Sequence, residues 1–305
     1  MRPLFSIILT TYNRSHFLQR AIRSVLQQTF TNFELIIIDD YSTDNTQHLV
    51  EEFSDERIIY IQQPKNQGVS TARNTGIHYA IAIYLCFLDV DDEYLRDFLK
   101  EICHFLEKKQ QAFIGFIRVG IANIFTINNL ANGKEKIKTE IWDLDKDKNL
   151  LFITKMAYVG LVYHRLCFER AGFFNSELNF AEDLDLVLRM LAAGMDYAAI
   201  PKVLINIHIH AHASLSRSID NKTRIKSLEL FLFNHDKFIN QHIYLWLYYY
   251  TKLCGDYYLI GKKQLARKLV RSILKRCWYY PKIWEVFLKF EFRSLKSILL
   301  NRLPQ

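Results

Sequence analysis

Residues 33–44 read FELIIIDDYSTD, an almost unbroken apolar run that closes on Asp39 and Asp40. A strand covered by helices on both faces has no solvent side, so it reads as continuous apolar sequence and not as an alternation. Ser42, Thr43 and Asp44 then offer side-chain acceptors to the free N–H groups of a helix running through Phe53. Upstream, residues 4–11 read as a first strand. Residues 16–26 follow as an amphipathic helix, with Phe17, Ala21 and Val25 on one face. Downstream, 57–62 is a third strand, 70–82 a third helix, and 83–88 a fourth strand that runs into Asp89, Val90, Asp91 and Asp92. This alternation predicts a doubly wound α/β sheet with helices on both faces.

The pattern then loosens. Residues 113–141, with turn signals at Asn128-Asn129 and Asn132-Gly133, read as strands or hairpins beside the main sheet. Further strands are expected at 157–163 and 203–210, and a helix at 182–193 ended by Gly194. Beyond Asp220 the periodicity is helical throughout, and no internal repeat is visible.

Composition narrows the class. The chain has 305 residues, of which 50% are hydrophobic and 14% aromatic, enough to offset the entropy of folding and exclude disorder. Ten Gly and five Pro exclude fibrous and low-complexity classes. The net charge of +8 conceals an asymmetry: residues 1–220 carry −4 and residues 221–305 carry +12. Five widely spaced Cys, without a C-x-x-C pair, suit buried thiols in a reducing compartment and not a disulfide framework or zinc site. The apolar stretch at 5–9 is too short for a secretory signal, and no window reaches the length of a spanning helix. A cytoplasmic location is expected, with peripheral attachment to the cytoplasmic face of the inner membrane as its extension.

In a doubly wound sheet, ligands bind at the C-terminal strand ends. Three such ends carry suitable groups: Thr11-Tyr12-Asn13, Asp39-Asp40 and Asp89-x-Asp91-Asp92. Carboxylate clusters on one rim repel unless a cation or donors balance them, and oxygen-only ligands select Mg2+ or Mn2+, which suggests a phosphate-bearing substrate. G-x-G-x-x-G, G-x-x-x-x-G-K-[ST] and G-x-S-x-G are all absent, which removes the main support for a dehydrogenase, a P-loop NTPase or an α/β-hydrolase.

The segments SIILTTYNR (6–14), AIRSVLQQTFTNFELIIIDDYSTDNT (21–46), NQGVSTARNTGI (66–77), FLDVDDE (87–93) and AEDLDLVLRM (181–190) resemble glycosyltransferase family 2, of bacterial surface-glycan type. The resemblance implies a GT-A fold: an α/β, doubly wound, Rossmann-like nucleotide-diphospho-sugar transferase sheet at 1–218. Its nucleotide-sugar half would span about 1–110 and its acceptor half about 111–218. An all-helical region would follow at 219–305. It also implies a UDP-sugar donor and Mn2+ or Mg2+.

Carried over by position, the resemblance puts Thr11, Tyr12, Asn13, Arg14, Asp40, Asn66, Arg73, Asp89 and Val90 at the nucleotide sugar. Tyr12 would lie against uracil, Asp40 would accept from the uracil N–H, and Arg73 would approach the phosphates. Asp91 would ligate the metal, joined by His210 from the His208-x-His210-x-His212 triplet, whose alternation suits one face of a strand. Asp183 matches the general base of inverting members; the plainer reading is an acid stabilised at a helix N-terminus. Tyr41 stands where the family commonly has Gly. The Q-x-x-R-W motif and membrane helices of processive synthases are missing, which favours one sugar per encounter.

The tail carries its own expectation. In 265–278, Leu265, Leu269, Ile273, Leu274, Cys277 and Trp278 form an apolar stripe opposite Arg267, Lys268, Arg271, Lys275 and Arg276, and residues 283–303 repeat the theme. Such helices suit an anionic bilayer, where a lipid-linked glycan acceptor would be found, or they pack on their own protein. No nucleic-acid motif accompanies the charge. The resulting expectation is transfer of one hexose or N-acetylhexosamine to a hydroxyl of a growing lipopolysaccharide, lipooligosaccharide or capsule. The alternatives are a sugar-phosphate nucleotidyltransferase, for which TTYNRSHF lacks the glycines, and a non-catalytic membrane-recruiting scaffold.

Overall fold

In the computed structural model, which describes residues 2–109, 113–126, 135–140, 160–209 and 219–278, the run at 33–39 is buried at every position. It forms β2 (Phe33–Asp39), parallel to β1 (Phe5–Thr11) on one side and to β3 (Ile58–Gln62) on the other. β4 (Tyr84–Asp89) pairs in parallel with the free edge of β1. Helices α1 (Ser15–Leu26), α2 (Thr46–Glu51) and α3 (Val69–Tyr79) make the crossovers. The order β3-β2-β1-β4 reverses direction between β1 and β4. That reversal opens a crevice at the strands' C-terminal ends. Register places Asp39 beside Thr11 and Asp89 beside Thr10, so acids flank the end of β1 on both sides.

The sheet continues through a mixed half. β5 (Glu93–Tyr94) and α4 (Phe98–Lys108) lead to β6 (Phe116–Thr126) and β7 (Glu135–Glu140), then β8 (Leu161–His164), α5 (Leu166–Ala171), α6 (Glu182–Ala192) and β9 (Tyr197–Ile209). β8 is antiparallel to both β4 and β6, β9 is parallel to β6, and β5 closes the far edge antiparallel to β9. β6 is therefore an interior strand and not an appendage beside the sheet. Arg118 and Gly120 break its apolar run and hide it in the sequence. β9 also begins six residues before the expected 203. Pairing with β6 jumps from Ile200 to Val203, so Pro201 and Lys202 form a bulge, the position at which a sheet interior tolerates Pro. Gly120 is required opposite it, because a Cβ there would press on the Lys202 carbonyl.

Alternation along the parallel strands builds the core. Phe5, Ile7, Leu9, Leu35, Ile37, Cys86 and Leu88 bury against Leu18, Ala21, Ile22 and Val25 of α1. Ile8 points to the opposite face and meets α3, which approaches closely because residue 76 is Gly: a Cβ there would fall inside contact distance of Ile8 Cγ2. Helix α6 is apolar on its buried side through Leu184, Leu186, Val187, Leu188 and Met190.

The chain divides into two units, Met1–Ser218 and Ile219–Gln305. The second is helical where described: α7 (Asn221–Asn234), α8 (Asp236–Gln241), α9 (Ile243–Leu259) and α10 (Lys263–Cys277). Asp220 caps α7 by accepting from the Lys222 and Thr223 N–H groups, and Arg224 pairs with Asp256. In α10 the buried line is Ala266, Ile273 and Cys277. Leu265 and Trp278, expected in that stripe, are exposed instead because they lie too far round the helix from the packing line. The expected continuation at 283–303 lies outside the described residues. Among the described residues no helix is long and apolar enough to cross a membrane.

Because Ile8 is β-branched and fully enclosed, Gly76→Ala is expected to lower stability by about 1–3 kcal/mol, the usual cost of overpacking. Chemical denaturation monitored by circular dichroism would show it as a lower midpoint with an unchanged slope.

Candidate active site

The loops after β1 and β2 and the connection from α5 to α6 each hold a non-glycine residue with positive φ: Asn13 (51°), Tyr41 (73°) and Ala181 (65°). Among the described residues these are the non-glycine positions with that strain, which surrounding bonds must sustain. Asn13 donates its N–H to Ser42 Oγ and accepts from the Thr43 N–H, each at 2.8 Å, locking the loop after β1 to the loop after β2. Tyr12 and Tyr41 are left 45% and 48% exposed at the rim. Thr11 is buried, and its Oγ1 has no hydrogen-bond partner; the same holds for Ser70 Oγ in the first turn of α3.

Asp40 is buried and uses both oxygens to hold the turn that starts α3, accepting from the N–H groups of Gln67 and Gly68 at 2.8 Å each. Burial pushes its pKa up, against the pull of those two bonds. Asn66 lies exposed on the same turn. Asp39, fully buried, accepts from the Ser42 N–H and from the Tyr60 hydroxyl at 2.6 Å.

Beyond β4, each D-x-D carboxylate faces a guanidinium. Asp89 pairs with Arg73 at 3.1 Å and Asp91 with Arg14 at 3.0 Å. Arg20 donates to the Asp91 backbone carbonyl at 2.5 Å. The Val90 side chain belongs to the apolar core, so contact with a ligand falls to its backbone. Asp92 is buried and accepts from the His208 N–H; burial, then Asp89 and Asp91, push its pKa well up. Glu93 faces His208 Nε2 at 3.2 Å and accepts from Asn206 at 2.7 Å. The bond with His208 is the main cause that holds Glu93 down to about 2. His208 is thus engaged with the β5–β9 junction, while His210 and His212 lie outside the described residues.

The Arg73 side chain is only 8% exposed and spans from Asp89 to Glu182, which it reaches at 3.0 Å. Its guanidinium lies over the Phe174 ring, 5.3 Å from the centroid. The neighbouring Asn74 fixes that ring's backbone with two bonds, donating to the Phe174 carbonyl at 2.8 Å and accepting its N–H at 2.9 Å. Residues 73 and 74 therefore tie the N-terminal end of α6 to the parallel half of the sheet. Asp183 is buried in the first turn of α6; burial and then Glu182 raise its pKa well above the usual carboxylate range, and Arg73 opposes them. Glu182, Asn74, Arg20 and Phe174 were not singled out from the sequence. Glu182 had a signal, since two adjacent acids open a helix, but its partner lies more than a hundred positions away.

The sequence pattern of the family described as Glycosyl transferase family 2 matches residues 6–160. The chain belongs to glycosyltransferase family 2. Among family members, it is 40% identical over 111 residues to the UDP-Glc:alpha-D-GlcNAc-diphosphoundecaprenol beta-1,3-glucosyltransferase WfgD of Escherichia coli, over 36% of this chain and 44% of that protein. It is 35% identical over 114 residues to the putative teichuronic acid biosynthesis glycosyltransferase TuaG of Bacillus subtilis, over 37% of this chain and 45% of that protein. The matches span under half the length of each of these relatives. Among solved structures, S. aureus TarS 1–349 in complex with UDP-GlcNAc matches with TM-score 0.64 and 18% identity, over 95% of this chain and 88% of that one. The mannosyltransferase PcManGT of Pyrobaculum calidifontis, in complex with GDP-Man and Mn2+, matches with TM-score 0.61 and 14% identity, over 97% and 81%. These likenesses establish the GT-A fold.

A divalent cation fits the donor set of this family 2 site. Among the described residues no three His, Cys, Asp or Glu side chains converge on one point. Mg2+-like ions, however, are held by one or two carboxylates with phosphate oxygens and water completing the shell. Asp91 would offer one such oxygen ligand, with Asp89 two positions before it; in the structure they face Arg14 and Arg73.

Arg73→Ala leaves Asp89, Glu182 and Asp183 without their shared buried cation. A loss of about 3–5 kcal/mol is expected, as for other broken buried pairs. The loss should grow with pH. A carboxyl whose pKa is higher folded than unfolded costs stability as pH rises through that interval, and removing Arg73 raises Asp183 further. Urea midpoints of both proteins at pH 5 and pH 8 check this; equal differences at both would contradict it.

Proposed function

We propose that this chain is an inverting glycosyltransferase that moves a single hexose or N-acetylhexosamine from a UDP-sugar to a hydroxyl of a growing surface glycan. The observation that carries the reading is the Arg73 bridge. It ties the D-x-D acid Asp89 to the helix end where a buried, proton-seeking Asp183 stands.

In this reading Tyr12 lies against the base, Asp40 holds the 66–68 turn beside it, and Asp89 and Asp91 hold the cation. When bound, the cation neutralises charge on the departing diphosphate. Asp183 takes the proton of the acceptor hydroxyl as that oxygen forms its bond to the anomeric carbon. The bond from that carbon to the β-phosphate oxygen breaks, and its electron pair leaves with UDP. A raised pKa suits the task, because a carboxylate that binds its proton more tightly draws it better from an alcohol.

The named activity of the E. coli relative makes UDP-glucose the first donor to try and a diphosphoundecaprenol-linked glycan the first acceptor. A lipid-linked acceptor also gives the basic face of α10 a purpose. Lys268, Arg271 and Lys275 are exposed there opposite the buried line, and the helix has no acid in its first turn. Anionic headgroups would attract them by about 1 kcal/mol per basic residue.

UDP release from UDP-glucose should require both Mn2+ or Mg2+ and acceptor. Asp183→Asn should keep UDP binding and lose transfer by 100-fold or more, roughly the lower bound for general-base catalysis. Full transfer by that variant would remove the base assignment, and pyrophosphate release from UTP and a sugar phosphate would mark a nucleotidyltransferase instead. In flotation assays, binding to phosphatidylglycerol vesicles should fall on reversing the charges of Lys268, Arg271 and Lys275 together. Equal binding of that variant would locate membrane contact elsewhere.

A further inference from the structure

The amide of Asn74 donates to the Phe174 carbonyl at 2.8 Å and accepts the Phe174 N–H at 2.9 Å. These are the two bonds that a strand residue exchanges with an antiparallel partner. Here a side chain of α3 makes them, to a residue 100 positions away in the connection from α5 to α6. Both the donor and the acceptor side of the amide are engaged with Phe174, so the influence of Asn74 on the site passes through that residue.

Phe174 is buried, and its ring has two neighbours at the rim. Arg73 lies over it, and Phe87 meets it edge-on with centroids 5.2 Å apart and planes at 83°. Phe87 stands in β4 two positions before Asp89. A shift of Phe174 would therefore be felt at both partners of the Arg73–Asp89 pair.

The same connection is gripped from α6. Arg189, in the last turn of that helix, donates to the carbonyls of Ala171 and, at 2.7 Å, Phe173. Where the connection enters α6, Ala181 has φ 65°, a left-handed geometry that costs an alanine about 1–2 kcal/mol. Such strain persists only when the structure around it is fixed. Arg73 fixes the next residue, Glu182, while Arg189 and Asn74 fix the start of the connection.

We propose that Asn74 is a positioning residue for sugar transfer: it seats the Phe174 ring against Arg73 and, through Arg73 and Glu182, fixes where α6 begins and where Asp183 stands. The inference rests on the assignment of Asp183 as the base in the proposed function.

The test is acceptor-dependent UDP release from UDP-glucose and the diphosphoundecaprenol-linked glycan in Mn2+, with folding of each variant followed in parallel by urea denaturation. Asn74→Ala should lower kcat by about 10-fold or more, since a misplacement of about 1 Å costs as much as 100-fold. The KM for UDP-glucose should stay within about two-fold, because the interaction lost serves the transition state and not donor binding. Phe174→Leu, which keeps an apolar side chain and removes the aromatic face, should also lower kcat. The double variant should lose less than the product of the two single losses, because residues that act through one another do not add.

A merely structural role would lower the urea midpoint and leave kcat per folded molecule unchanged. A double loss equal to the product would mean that Asn74 does not act through Phe174, and a raised KM with unchanged kcat would make it part of the donor site. Each of these results overturns the proposal. No acceptor-dependent UDP release from the unaltered protein would overturn the function reading and this inference with it. Release that Asn74→Ala leaves unchanged would overturn the inference alone.

Discussion

A single buried guanidinium holds the two halves of the site in register. Arg73 reaches Asp89 at the end of the parallel sheet and Glu182 at the start of α6, and Phe174 packs beneath it. Three acids act on it, Asp89, Glu182 and Asp183, and buried acids that lie near one another need fixed positive charge beside them. The position of Arg73 depends in turn on α3 lying flat on β1, which Gly76 permits, and on Asp40 drawing in the turn that begins the helix. Packing in the sheet thus sets the electrostatics of the rim, and the rim sets the chemistry that family 2 membership leads one to seek there.

The parallel half was legible in the sequence because its physics is local. FELIIID can only be a strand buried on both faces, and it occupies residues 33–39 as read. The second half was read less well. β6 carries an Arg and a Gly that break its apolar pattern, yet it runs through the interior of the sheet. Pro201 concealed the first part of β9, since a bulge that accommodates Pro is a property of two strands and cannot be read from one.

The same division holds at the site. Asp40, Asp89, Asp91 and Asp183 stood out as acids at strand and helix ends; Asp89 closes β4, Asp40 and Asp91 follow strands, and Asp183 lies in the first turn of α6. Their partners did not stand out. Arg73 was visible as a charge near phosphate-binding sequence, but the pairing with Glu182 spans two halves of the fold. Val90 turns its side chain into the core, leaving its backbone for any contact with a nucleotide sugar, and His208 serves the Glu93 junction. Residue type and position along an element are encoded locally; which opposite charge answers which is decided by topology.

If Arg73 holds Asp183 ready to accept a proton, the acidic limb of the pH–rate profile reports it. The decisive measurement is kcat/KM for acceptor-dependent UDP release against pH in the unaltered protein and in Arg73→Gln. Without the guanidinium, the buried carboxyl keeps its proton to higher pH, so the limb should move upward in the variant. A limb that stays in place, or moves to lower pH, would contradict the account.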